Sequence, residues 1–293
     1  MDTAFYAGLD TELTGRGAGM ELTGTVLSAA ACGGPWSAEL QHGGPPSALL
    51  VRLAEQLAAA AVGHRNLVAA RTAAEFLAPV PVAPLQVWAR VERLARSAVL
   101  VRTQLAASGK PCLQARVWLM TESPDGRPPA AGPAVLAGSA AADRDVADPG
   151  AAELLTTEDP TELPDFGMDG FPYAEHLDWR AVSGKAREPG PATVWVRARV
   201  PLLAGEQPST LQRLLVVADS ASGVSSLLDW DDWSFANIDL DVHLVRQSQD
   251  DWVLMQAVSE LGAGLGLARS SLSDRAGLVG AGLQTLLVRS RRD

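Results

Sequence analysis

Leu211-Gln-Arg-Leu-Leu-Val-Val-Ala-Asp-Ser-Ala-Ser-Gly-Val-Ser-Ser-Leu-Leu228 is the stretch on which the reading of the fold turns. At about 100° per residue, Leu211, Leu214, Ala218, Ala221 and Ser225 fall on one stripe, so a helix packed into a core is expected over Ser209–Leu228. Asp219 lies at the edge of that stripe, beside Leu215. An apolar surrounding disfavours a charged carboxylate, so Asp219 needs partners or has a chemical task. Strand-like runs follow near Phe235–Val245, Trp252–Leu261, Leu265–Leu272 and Leu278–Val288.

Working outward, the same plan occurs earlier in the chain. Met20–Leu27 and Pro35–Leu40 read as short strands, Pro45–Val62 is apolar at helical spacing, and strands follow near Leu67–Leu77, Leu85–Leu94, Ala98–Ala106 and Pro111–Met120. In the second copy, Leu177–Val182 and Thr193–Pro201 precede the long helix. Short breaks such as Ser108-Gly109-Lys110-Pro111 join consecutive strands, which excludes a parallel βαβ array and favours antiparallel sheets. The expected class is α+β: two antiparallel sheets in tandem, each wrapped around one long helix. The expected division is 1–122, a Pro/Ala/Gly-rich linker at 123–165, and 166–293.

Composition narrows the partners. Lys and Arg total 24 against 34 Asp and Glu, and a net charge of -10 argues against a nucleic-acid partner, which would need a basic footprint. The acidic start lacks a secretory signal, and no run approaches the ~20 apolar residues of a spanning helix, so a soluble cytoplasmic protein without integral membrane association is expected. Cys32 and Cys112 give no disulfide framework. His42, His64, His176 and His243 include no HxxxH or HxH pair, so no metal site is expected.

Four motifs carry a resemblance: His42-Gly43-Gly44-Pro45-Pro46-Ser47-Ala48-Leu49-Leu50, Val217-Ala218-Asp219-Ser220-Ala221, Ser234-Phe235-Ala236-Asn237-Ile238-Asp239-Leu240-Asp241-Val242-His243-Leu244, and Gly282-Leu283-Gln284-Thr285-Leu286-Leu287-Val288. In this order they resemble the double-hotdog acyl-CoA thioesterase II family. The resemblance implies a tandem hotdog fold and hydrolysis of an acyl-CoA to free acid and CoA by a water activated by a general base. It implies no metal or redox cofactor, and by analogy a homodimer or larger homo-oligomer. It also implies a triad of Asp, Thr or Ser, and Gln, which falls on Asp219, Asn237 and Gln284.

Asn237 departs from the family's hydroxyl. An amide donates and accepts hydrogen bonds but gives no hydroxyl proton relay, which leaves open a non-catalytic acyl-CoA- or lipid-binding protein on the same fold. Alternation puts Ile238, Leu240, Val242 and Leu244 on the buried face, and Asn237 with Asp239, Asp241 and His243 on the other. Gln284 shares a face with Leu286 and Val288, out of place there unless it has a partner. Gly43 and Gly44 let the backbone approach a ligand at a helix N-terminus, and Gly44 N–H is the candidate oxyanion donor. Pro45 and Pro46 suit a first helical turn. His42 reads as structural. The counterparts of Asp219 and Gln284 in the first copy are near Arg52 and Arg116, so one composite site per chain is expected.

Overall fold

The computed structural model describes residues 4–63, 66–122 and 159–292; most of the segment expected as a linker lies outside them. The strands are β1 (Tyr6–Thr14), β2 (Glu21–Ser28), β3 (Leu67–Phe76), β4 (Pro84–Leu94), β5 (Ala98–Ala107), β6 (Lys110–Thr121), β7 (Leu177–Ser183), β8 (Ala192–Ala198), β9 (Trp233–Asn237), β10 (Asp239–Leu244), β11 (Val253–Leu261), β12 (Leu265–Asp274) and β13 (Gly277–Ser290). The helices are α1 (Gly44–Val62), α2 (Pro172–Glu175), α3 (Thr210–Ala218) and α4 (Ala221–Val224). β1 was not expected from the sequence. Pro35–Leu40 is not a strand: it belongs to a loop held by single bridges, Gly33 to Gln41 and Leu40 to Pro81.

All ladders are antiparallel, and the strand order is β1-β2-β4-β5-β6-β3-β10-β13-β12-β11-β8-β7, with β9 pairing β13. Read from each end, the two halves have one order: β1-β2-β4-β5-β6-β3 corresponds to β7-β8-β11-β12-β13-β10. The halves meet at the β3–β10 ladder, where Glu75 faces Asp239 and Arg71 faces His243. The expected two sheets are therefore one continuous sheet, because the equivalent edges of the halves pair with each other.

The helices differ more than the strands. α1 starts after Gly43 with Pro45 and Pro46 in its first turn, where a missing N–H costs little. Its apolar face, including Leu49, Leu50, Leu53 and Leu57, is fully buried in the core shared by both halves. α3 is capped by Ser209, whose hydroxyl accepts from Gln212 N–H at 3.3 Å. It stops at Asp219, and α4 restarts at Ala221. The break has a cause 65 residues away. The Gln284 amide accepts from Ser222 N–H at 3.2 Å and donates to the Asp219 carbonyl at 2.9 Å, taking one donor and one acceptor that a continuous helix would use for its own i→i−4 ladder.

α1 and α3 lie in direct contact. A Cβ on Gly44 would stand 2.1 Å from the Val216 carbonyl oxygen, so glycine sets how closely the two helices approach. Glu55 on α1 accepts from Ser209 Oγ at 2.7 Å and from Gln212 Nε2 on α3, and Arg52 forks onto Glu206 at 2.6 and 2.9 Å.

Candidate active site

The end of α3, the loop before α1 and strands β9 and β13 converge on Asp219, which is 6% exposed. Gln284 is 1% exposed on β13. Its orientation is fixed: Oε1 accepts from Ser222 N–H, so Nε2 must face Asp219, where it reaches the carbonyl and, at 3.3 Å, Oδ1. Asn237 at the end of β9 also donates from Nδ2 to Asp219 Oδ1. That turns Asn237 Oδ1 toward Ser222, whose hydroxyl lies 3.5 Å away. Asp219, Asn237 and Gln284, read separately from the sequence, are thus one hydrogen-bonded group.

Asn237 reaches this group because the strand breaks after it. The alternation read from the sequence is displaced at Ile238, which is 49% exposed, while Phe235, Leu240 and Val242 are buried. Ile238 donates to the Thr285 carbonyl at 3.0 Å, and Asp239 then accepts from Thr285 N–H with its side chain at 2.5 Å. One residue is out of phase, so Asn237 lines a cavity instead of sharing a face with Asp239, Asp241 and His243. Gln284 keeps its expected face with Leu286, both buried between exposed Leu283 and Leu287.

The two glycines have different tasks. Gly43 N–H donates to the Asp219 carboxylate. A Cβ at Gly43 would lie 2.6 Å from Phe76 Cζ and 2.8 and 2.9 Å from the Asp219 carboxylate oxygens. Gly44 N–H donates to His42 Nδ1 at 3.2 Å. The expected oxyanion donor is therefore engaged within the protein, and Pro45 and Pro46 bring no N–H to the helix start. Arg52 and Arg116, the counterparts in the first half, pair with Glu206 and Glu92.

Burial dominates the electrostatics of the two titratable groups at this site. Burial raises the Asp219 carboxyl from 3.8 to about 6, against the opposing pull of the Asn237, Gly43 and Gln284 donors. His42 Nδ1 lies 3.2 Å from Asp219 Oδ2. Burial lowers His42 to about 3, so the ring is neutral near pH 7 and the contact is not an ion pair. With Nδ1 accepting from Gly44, its proton sits on Nε2. The His42 ring stacks on Tyr173 at 3.7 Å between centroids, and Tyr173 donates to the Val216 carbonyl at 2.6 Å.

The group opens onto a cavity of about 420 Å³. Asp219, Asn237, Ser222 and His42 line it together with Trp36, Phe76, Phe171, Trp230 and Phe235. Trp36, Trp230 and Phe235 pack on one another with centroids 5.1 to 5.7 Å apart. Sequence reasoning missed these aromatic walls, the contact of His42 with Asp219, and Ser222. Only Ser222 carried a signal: three residues after Asp219 on a helical pattern, it shares that residue's face. Such a site, apolar with a few convergent polar groups, suits a small hydrophobic ligand with one reactive polar bond.

The architecture is that of hotdog-fold proteins. A hotdog protein of unknown function from Alicyclobacillus acidocaldarius matches with a TM-score of 0.66 and 15% identity, over 95% of this chain and 96% of that one. An acyl-CoA thioesterase II from Mycobacterium marinum matches with a TM-score of 0.60 and 18% identity, over 95% and 96%. Comparison with curated proteins returns no match. Residues 33–120 match the acyl-CoA thioesterase N-terminal domain, and residues 152–288 match the acyl-CoA thioesterase C-terminal domain. The chain belongs to the acyl-CoA thioesterase family, and its reaction is hydrolysis of an acyl thioester.

Proposed function

We propose that the chain hydrolyses acyl-CoA at Asp219, with Asn237 and Gln284 orienting the base, in a composite site between an N-terminal hotdog unit (1–122) and a C-terminal one (166–293). The observation that carries this reading is a buried carboxylate, gripped by two side-chain amides, on the wall of an apolar cavity. Ionised Asp219 takes a proton from a water as its oxygen attacks the thioester carbonyl carbon. The tetrahedral intermediate then expels the CoA thiolate, which recovers the proton from Asp219. No metal or redox step enters.

The acyl chain lies among Trp36, Phe76, Phe171, Trp230 and Phe235, and exposed Leu77, Ile238 and Leu287 on the cavity lining meet the pantetheine arm. Arg187 over Trp230 and Arg291 over Trp36, at 5.5 and 5.8 Å, bring positive charge to the aromatic wall on the CoA side. The enzyme serves fatty acid metabolism in the cytoplasm. It works as a homodimer or larger homo-oligomer, a reading supported by exposed Leu265, Leu267 and Leu283. No helix of the described residues is long and apolar enough to cross a membrane.

The test is Asp219→Asn, assayed with a thiol reagent on short, medium, long and aromatic acyl-CoAs. The expected result is a folded variant with kcat lowered by about 10² to 10⁴. Unchanged turnover in that variant would remove Asp219 from the chemistry.

A further inference from the structure

A water activated by a general base gives one proton to the base and keeps the other, and that remaining O–H needs a hydrogen-bond acceptor if a lone pair is to face the carbon under attack. The two amides beside Asp219 do not supply that acceptor. Gln284 Oε1 is occupied by Ser222 N–H, and the Nδ2 and Nε2 groups of Asn237 and Gln284 are donors aimed at the carboxylate. Asn237 Oδ1 is taken by the Ser222 hydroxyl and Ser220 Oγ is bonded to the Tyr173 hydroxyl at 2.9 Å, which leaves Ser222 Oγ as the acceptor beside Asp219 on this wall of the cavity.

We infer that Ser222 Oγ accepts a hydrogen bond from the O–H that the attacking water keeps and thereby aims the water's lone pair at the thioester carbon. This rests on the assignment of Asp219 as base. Ser222 begins one helical turn beyond Asp219, lines the same cavity and is 7% exposed, so its hydroxyl meets the cavity and little else. Its own proton points to Asn237 Oδ1 across 3.5 Å, a contact loose enough for the hydroxyl to turn. The resulting chain runs from water to Ser222 Oγ, then to Asn237 Oδ1, with Asn237 Nδ2 closing on Asp219 Oδ1. Every donor in it has one acceptor. The hydroxyl that Asn237 lacks, relative to the pattern it resembles, is thus present on the facing helix.

The backbone makes the placement firm. Ser222 N–H is tied to Gln284 Oε1, so the residue is fixed by the same amide that grips Asp219. Ser222 acts on water and not on the acyl group, so its loss affects kcat and leaves the pKa of the base in place.

The experiment compares the wild type, S222A, S222T and D219N on one medium-chain acyl-CoA, with kcat, KM, melting temperature and the pH profile of kcat measured for each. Expected are a kcat about tenfold lower in S222A, the worth of one hydrogen bond, with KM within twofold and the inflexion still near pH 6. S222T, which keeps the hydroxyl, stays within threefold of the wild type. A folded S222A within twofold of wild-type kcat overturns the inference, as does an equal loss in S222A and S222T. Failure of the underlying assignment is separate, because it appears as a folded D219N with normal turnover.

Discussion

If Asp219 is the base, turnover must fall in acid along the titration of this one buried carboxyl. Burial lifts it to about 6, and the donors of Asn237, Gly43 and Gln284 keep it from rising further. Only the ionised form accepts a proton from water, so kcat should be flat above pH 7 and lose a factor of ten per pH unit below 6. About one-tenth of the plateau remains at pH 5. The assay needs a thiol reagent that reacts in acid, such as a pyridyl disulfide, and circular dichroism at each pH to confirm folding. Stability follows with the opposite sign to the usual aspartate. The folded chain holds this proton more tightly than the unfolded one, so the contribution of Asp219 is highest below pH 4 and declines as pH rises toward 6, by about 3 kcal/mol in all. Asp219→Asn should therefore be more stable than the wild type at pH 7.5 by about 1–2 kcal/mol, less than that ceiling because the amide nitrogen opposes Gly43 N–H. That gain should vanish near pH 4. An inflexion near 4, or a profile flat from pH 8 to 5, would refute the claim that a desolvated Asp219 limits the rate.

Two further variants test the geometry around this residue. Gly43→Ala inserts a Cβ within 2.9 Å of both carboxylate oxygens and 2.6 Å from Phe76 Cζ; we expect a folded protein with kcat lowered at least about tenfold, since small displacements of a catalytic group are costly, and steady-state kinetics on the melted-and-checked variant decides it. Gly44→Ala meets backbone instead, 2.1 Å from the Val216 carbonyl oxygen; separating α1 from α3 should cost about 3 kcal/mol, and thermal unfolding should show a midpoint roughly 10 °C lower.

The sequence carried the repeated plan because strand–strand–helix–strands is a local pattern, legible from apolar spacing and turn residues. Asp219 and Gln284 were legible for a related reason: each is a polar residue on an apolar face. What was not legible depended on partners distant in the chain. The helix expected over Ser209–Leu228 breaks at Asp219, where Gln284 bonds into it; the Ser- and Gly-rich run Ser220–Ser226 weakens the helix there, but the partner that sets the break lies on β13. The face of Asn237 was misread because Asp239 replaces a backbone partner for Thr285 and puts the strand one residue out of phase. Gly43 and Gly44 looked equivalent, yet one approaches a carboxylate and the other a facing helix. The joining of the halves through β3 and β10 likewise depends on edges that alternation cannot identify.

Because one side-chain amide is spliced into the main-chain ladder between α3 and α4, strand and helix share a single hinge pin. The Asp219 carboxyl gains its Gln284 partner only when β13 has docked, so its setting depends on completed folding of the second half. Loss of that one amide would release the Ser222 N–H and the Asp219 carbonyl to the helix's own ladder while the apolar contacts of α1 and α3 stay in place.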